Sequence, residues 1–152
     1  MAEFRLQGRE VDAALWDTAG QDDYDNLRPL AYVDTHFFCI CFKVSDPDSL
    51  DNTIEKWTPE IRHFNKRKDP IFLLGLQKDL RNDPQTIGWL LRTSQHPGKA
   101  TAKAIGAVDY FESSAKTGEG VLETFEGILR WHFETQGGFT PAAKKKRFSF
   151  FS

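Results

Sequence analysis

Apolar and polar residues alternate over Phe4-Arg5-Leu6 and again over Val11 to Trp16, which predicts two strands joined around Gln7-Gly8 as an antiparallel hairpin. Tyr32 to Val44 contains a near-continuous apolar run, H-F-F-C-I-C-F-K-V, of the kind a strand buried on both faces requires. Ser45-Asp46-Pro47-Asp48 then reads as a helix start, with proline early and acids in the first turn. Ile54, Trp57, Ile61 and Phe64 follow at three- and four-residue spacing, an amphipathic helix that Pro59 should kink or split. Ile71 to Leu76 is a second fully apolar strand. Pro84 to Arg92 and Lys99 to Ile105 have helical patterns, interrupted by Gln95-His96-Pro97-Gly98, and Val108 to Phe111 reads as a short strand. Val121, Leu122, Phe125, Ile128, Leu129 and His132 mark the inward face of a closing helix. Strands alternating with helices predict an α/β fold, a doubly wound and mostly parallel sheet.

Composition changes this picture at one point, the carboxyl end. The 152 residues carry a net charge of −2, but Lys144, Lys145, Lys146 and Arg147 supply four of the twenty basic side chains. The remainder therefore carries −6 against the tail's +4. Gly137, Gly138 and Pro141 precede that cluster, a linker-like composition. The expected division is a folded domain over 1–136 and a flexible basic-aromatic tail over 137–152. Thirteen Phe and four Trp furnish a core. Cys39 and Cys41, two apart on one strand, point the same way, which suits reduced core thiols better than a disulfide. No apolar run approaches the ~18 residues of a membrane span.

In such sheets ligands bind beyond the carboxyl ends of the strands, and three polar elements fall there. Asp17-Thr18-Ala19-Gly20-Gln21 follows the first apolar strand. A carboxylate at Asp17 can hold Mg²⁺ through water, the Gly20 amide can reach a γ-phosphate, and Gln21 can orient an attacking water. Gln77-Lys78-Asp79 follows the second. The Asp79 carboxylate can accept two N–H bonds from the guanine edge, and the stem of Gln77 can lie against the base. Ser114-Ala115-Lys116 follows the third, where the Ala115 amide can meet the guanine carbonyl and Lys116 packs nearby. Singly, each has an ordinary reading as a polar turn or cap; their order, each after an apolar strand, is specific.

With these residues in place the chain resembles the Rho family of Ras-superfamily small GTPases. Leu15 to Tyr32 (L-W-D-T-A-G-Q-D-D-Y-D-N-L-R-P-L-A-Y), Ser49-Leu50, Glu55-Lys56-Trp57, Asp79 to Asp83 and Glu112 to Val121 carry the likeness, which covers about Phe4 to Phe133. The resemblance implies a guanine-nucleotide switch that hydrolyses GTP with Mg²⁺ in signalling to cytoskeleton and membrane. Gln21 would be catalytic. Asp17, Thr18, Ala19, Gly20, Gln77, Asp79, Ser114, Ala115 and Lys116 would bind nucleotide, with Asp17 near the metal. Tyr24, Leu27, Arg28 and Leu30 match the region that exchange factors, GTPase-activating proteins and effectors grip. A cytoplasmic site, peripheral to the inner membrane surface, is implied, with no nucleic-acid partner.

Four departures from the pattern bear on that expectation. No G-x-x-x-x-G-K-[ST] occurs in the chain, so the first strand, phosphate loop, first helix and switch I Thr, on the order of 40 residues, are missing from the likeness. Leu76 replaces the usual Asn or Thr beside the base. Pro84 to Gly98 is several residues shorter than the family's insert helix. The tail ends F-S-F-F-S without a prenylation Cys. A nucleotide-free pseudo-GTPase that presents its switch II surface is therefore the alternative reading. For 144–151 the alternatives are a weak anionic membrane contact, a solvated peptide and a nuclear-import signal. Without the first strand, the expectation is that its two neighbours pair directly, that another segment fills the gap between them, or that the sequence is a fragment.

Overall fold

The computed structural model describes residues 2–6, 8–93, 97–135 and 146–151. β1 (Ala2–Leu6) and β2 (Arg9–Thr18) form the expected hairpin, in antiparallel register from Ala2 opposite Ala13 to Leu6 opposite Arg9. β3 (Phe37–Lys43), β4 (Ile71–Leu76) and β5 (Tyr110–Glu112) run parallel to one another. Between β2 and β3 lies β6 (Lys146–Phe151), parallel to both, giving the order β1-β2-β6-β3-β4-β5. The expectation of a flexible tail therefore differs from the structure over these six residues; 136–145 lie outside the described residues. The physical reason is the ladder: without a strand in this place, β2 and β3 would each present a row of unpaired N–H and C=O groups to the interior, at ~1–3 kcal/mol per buried orphan.

β3 shows why the sheet needs cover on both faces. Phe38, Ile40 and Phe42 pack with Leu50 of α1 (Pro47–Asn52), with Trp57 and Ile61, and with Ala102 of α4 (Pro97–Ala104). Phe37, Cys39 and Cys41 point the other way, against Val11, Ala13 and the Ile128, Leu129 and Phe133 of α5 (Val121–Thr135). Both cysteines are buried free thiols on that one face.

Pro59 has the expected effect by a particular route. The helix widens to a π-turn over Thr53–Trp57 before α2 (Thr58–Phe64), and the Thr58 amide reaches back five residues to the Thr53 carbonyl. The extra residue rotates the predicted face, so Trp57 and Ile61 are buried while Ile54 and Phe64 are half exposed. Two further expectations shift. Pro97-Gly98, read as part of the break after α3 (Pro84–Thr93), instead opens α4, with proline at its first position. Leu122, placed on the inner face of α5, is exposed. Among the described residues no helix is long and apolar enough to cross a membrane.

Candidate functional site

β4 ends at Leu76, and Gln77 turns the chain in the left-handed region, φ +59°. For a residue with a side chain that conformation costs roughly 1–3 kcal/mol, and here it bends the chain so that Gln77 and Asp79 line the same cavity. The cavity, of ≈ 890 Å³, lies at the carboxyl ends of the parallel strands. Asp17 borders it from β2, Cys41 and Lys43 from β3, and Ala115 and Lys116 from the loop after β5. Leu15, Leu76, Leu80, Val121 and Phe125 supply apolar wall. Its size and its few convergent polar groups fit a small-molecule site.

The base side of this cavity is cross-tied. Ser114 Oγ, fully buried, donates to Asp79 Oδ1 at 2.6 Å, and Lys116 Nζ stands 3.9 Å from Asp79 Oδ2. The Lys78 amide donates to the Ser113 carbonyl at 3.0 Å, and the Ser113 amide to Gly75 at 2.9 Å. The loop after Ser114 closes with the Ser114 amide on Glu119 O and the Gly118 amide on Ser114 O. Gly120 has φ +74°, and a Cβ there would meet Glu112 O at 2.2 Å, so only glycine fits. Each carboxylate oxygen of Asp79 has lone pairs beyond those its neighbours use, so a pair of parallel donors can still approach. Leu76 at the rim contributes apolar surface where a side-chain hydrogen bond would otherwise form.

The phosphate side is arranged differently. Thr18 is buried, and Ala19, Gly20 and Gln21 do not line the cavity. Their loop is drawn toward two cations. Arg28 Nε donates to Ala19 O at 2.9 Å and Nη2 to Gln21 O at 3.0 Å, while Lys56 Nζ lies 3.4 Å from Gly20 O. Both cations sit over Trp57, 4.9 and 4.8 Å from the ring centroid. Arg28 also pairs with Glu60 at 2.7 Å and Asp25 at 2.8 Å. Lys56 bonds Asp22 and holds its exposed carboxyl below the ordinary value. Tyr24, Leu27 and Leu30 are exposed as a docking surface requires, but Arg28 is 4% exposed. The structure corrects its expected place: it is the clamp inside the loop, because its charge is matched only there. Lys56 and Glu60 belong to the same clamp; the sequence signal for it is the Glu55-Lys56-Trp57 run, which spacing alone does not connect to Arg28.

Cavity, strand-end carboxylates and cross-tied loops sit together at the carboxyl ends of a parallel α/β sheet, where ligands of such folds bind. A model of the Ras family matches residues 1–133. The chain is similar to GTP-binding protein rho1 of Schizosaccharomyces pombe, 53% identical over 135 residues, covering 86% of this chain and 66% of that protein. It is also similar to GTP-binding protein RHO1 of Candida albicans, 52% identical over 135 residues (86% and 68%), and to rho5 of S. pombe, 48% identical over 153 residues (97% and 76%). The chain therefore belongs to the Ras family and is a small GTPase of the Rho type. It spans about two thirds of the length of the curated rho1 relatives it matches.

Proteins of this family generally work with GTP or GDP and Mg²⁺. The residues present fit that ligand on one side only. The base side offers a paired carboxylate acceptor, Asp79, between apolar walls. The phosphate side offers one carboxylate, Asp17, and the chain contains no phosphate-loop motif. β6 stands between β2 and β3, with the backbone of Lys146 and Arg147 in register with Ala13 and Ala14. That is the amino end of the strand, roughly 13–16 Å along the ladder from Phe151.

Proposed function

We propose that this domain recognises guanine nucleotide and works as a Rho-type switch, with Asp79 as the residue that selects the base. The observation that carries this reading is the buried Ser114–Asp79 bond, which holds a carboxylate beside Gln77, Ala115 and Lys116 at one cavity. Guanine offers two adjacent N–H donors to such an acceptor and adenine offers none in that arrangement. Binding would lay the base against the stem of Gln77 and bring its carbonyl toward the Ala115 amide. The residues of this chain extend the reading to recognition; Mg²⁺ and phosphate need ligands beyond Asp17, and hydrolysis through Gln21 depends on their being held.

The Tyr24, Leu27 and Leu30 surface suits exchange factors, GTPase-activating proteins and effectors of Rho type. A cytoplasmic location follows from the same reading. The segment 144–151 suits weak contact with an anionic membrane, at ~1 kcal/mol per cation. That contact competes with β6, since one backbone cannot occupy both places.

NMR titration of the ¹⁵N-labelled full chain with GDP and, separately, ADP tests the central claim. Amides of Asp79, Ala115 and Lys116 should shift at lower GDP than ADP concentration, and Asp79→Ala should remove that preference. Equal response to both nucleotides, or a preference surviving Asp79→Ala, overturns it.

A further inference from the structure

Behind the base side lies a cluster that touches no part of the cavity. Arg81 donates from Nε to Glu112 Oε2 at 2.8 Å and from Nη2 to the other oxygen, a two-pronged pair. Glu112 also accepts the hydroxyl of Tyr110. The side chains of Arg81 and Glu112 are mostly shielded, and burial, then the bond to Glu112, pushes the Tyr110 hydroxyl well above its ordinary pKa. Tyr110 stacks on Phe42 with ring centroids 6.1 Å apart. Its hydroxyl end sits between two bare backbones: a Cβ on Gly75 would meet it at 2.7 Å and one on Gly98 at 2.4 Å. Two glycines from β4 and α4 thus leave the room that this phenol fills.

The position in sequence gives the cluster its meaning. Arg81 is two residues after Asp79, and Glu112 two residues before Ser114. The two base loops are therefore joined by Lys78 N–H to Ser113 O, by Ser114 to Asp79 and by Arg81 to Glu112, with Lys78 Nζ on Glu119 and Lys116 Nζ near Asp79 as more exposed contacts. The Arg81–Glu112 contact is a shielded ion pair, which is the kind of contact whose loss is felt most when one partner remains. We infer that Arg81, Glu112 and Tyr110 are positioning residues for guanine selection, fixing the distance between the Asp79 carboxylate and the Ser114–Lys116 loop. They touch no ligand; they set the geometry in which Asp79 can meet two donors while Ala115 meets the carbonyl. A mismatch of about an ångström between the two loops would leave one donor of guanine unpaired and cost selectivity.

This inference rests on the base reading above, so its test has two independent arms. In the first, GDP and ADP titrations of full-length Glu112→Gln, which keeps size and still accepts from Tyr110, should show the ratio of the two affinities falling at least tenfold. Arg81→Lys, which keeps charge but loses the two-pronged geometry, should fall in the same direction, and Asp79→Ala/Glu112→Gln should select no worse than Asp79→Ala. A merely structural role would weaken GDP and ADP alike. In the second arm no nucleotide is present: amides of Ala115, Lys116 and Thr117 should exchange at least tenfold faster in Glu112→Gln, while those of β3 keep wild-type rates. If the wild type fails to prefer GDP, the base reading falls and the second arm alone decides the positioning role. An unchanged affinity ratio in a selective wild type, or unchanged exchange in these three amides, overturns the inference.

Discussion

The two halves of the sheet reach order by different means. On the base side, β3, β4 and β5 are contributed in chain order, and their loops are tied to one another by short bonds between residues within five positions of a strand end. On the phosphate side, β2 finds its inner neighbour only in β6, from the opposite end of the chain, and the following loop is held by Arg28 and Lys56 reaching from outside it. The proposed base-recognition loops thus come from strands contributed in chain order, whereas the Asp17–Gln21 loop follows a strand whose inner neighbour comes from a distant piece of chain. The two regions are held by separate sets of bonds.

Removing β6 should break the comparison most severely. A chain ending at Ala143 leaves both flanking ladders open, and several orphaned groups at ~1–3 kcal/mol each match the ~5–15 kcal/mol stability of a domain. Hydrogen exchange should show amides of Val11 to Thr18 losing protection, with the chain melting far lower or not folding. Full protection of β2 in that chain would show that β6 contributes nothing to the sheet.

Arg28→Met acts on the phosphate side alone. It removes the cation from Glu60, which keeps only the Tyr32 hydroxyl among its side-chain donors, and takes one donor each from the Ala19 and Gln21 carbonyls; breaking a buried pair costs about 3–5 kcal/mol. Urea denaturation should register that loss, and the Gly20 and Gln21 amides should become mobile while Asp79 and Ser114 keep their shifts. Disturbance spreading equally to the base loops would contradict the separation.

The next expectation concerns affinity. The full chain should bind GDP at least 100-fold more weakly than a complete Rho protein, since a loss of ~2.7 kcal/mol already gives that factor. Isothermal titration with Mg²⁺ measures it. Fusing the amino-terminal phosphate-loop segment of a Rho relative should recover binding, with base preference then still dependent on Asp79. Tight GDP binding by the unfused chain would mean that other residues hold the phosphates.

How much of this was legible in sequence follows the same division. The apolar runs of β3 and β4, the hairpin, and the placement of Gln77, Asp79 and Ser114 after strands were readable because each depends on local pattern. β6 was not: Lys-Arg-Phe-Ser-Phe-Phe after a Gly-Gly and two lysines has the composition of a solvated tail, and its strand character comes from a slot between β2 and β3 more than a hundred residues away in sequence. The buried place of Arg28 was not legible for a like reason. A buried guanidinium is tolerated only where acceptors converge, and its partner Glu60 is 32 residues distant. The π-turn at Thr53–Trp57 was half legible, since Pro59 demands relief but does not say whether a kink or a widened turn supplies it.

The smallest effect places one tyrosine in each half. Tyr32 donates to Glu60 on the phosphate side and Tyr110 to Glu112 on the base side. Burial, then the neighbouring carboxylate, raises both pKa values. A raised pKa favours the protonated form in the folded state, so each phenol stabilises the fold fully below the unfolded value of about 10 and loses that contribution as pH rises beyond it. Tyr32→Phe and Tyr110→Phe should each lose ~1.5–3 kcal/mol at pH 7, the worth of a hydrogen bond to a charged group. At a pH about one unit above 10 the gap to wild type should narrow, because the wild-type phenol then resists burial and phenylalanine does not. Urea midpoints at the two pH values decide it: a deficit that stays constant would mean that the hydroxyls contribute no proton linkage. The position of the change also matters. Tyr110→Phe should disturb the Ser114–Lys116 amides and leave Gly20 and Gln21 in place, and Tyr32→Phe should do the reverse, provided the two halves are as independent as their bonding indicates.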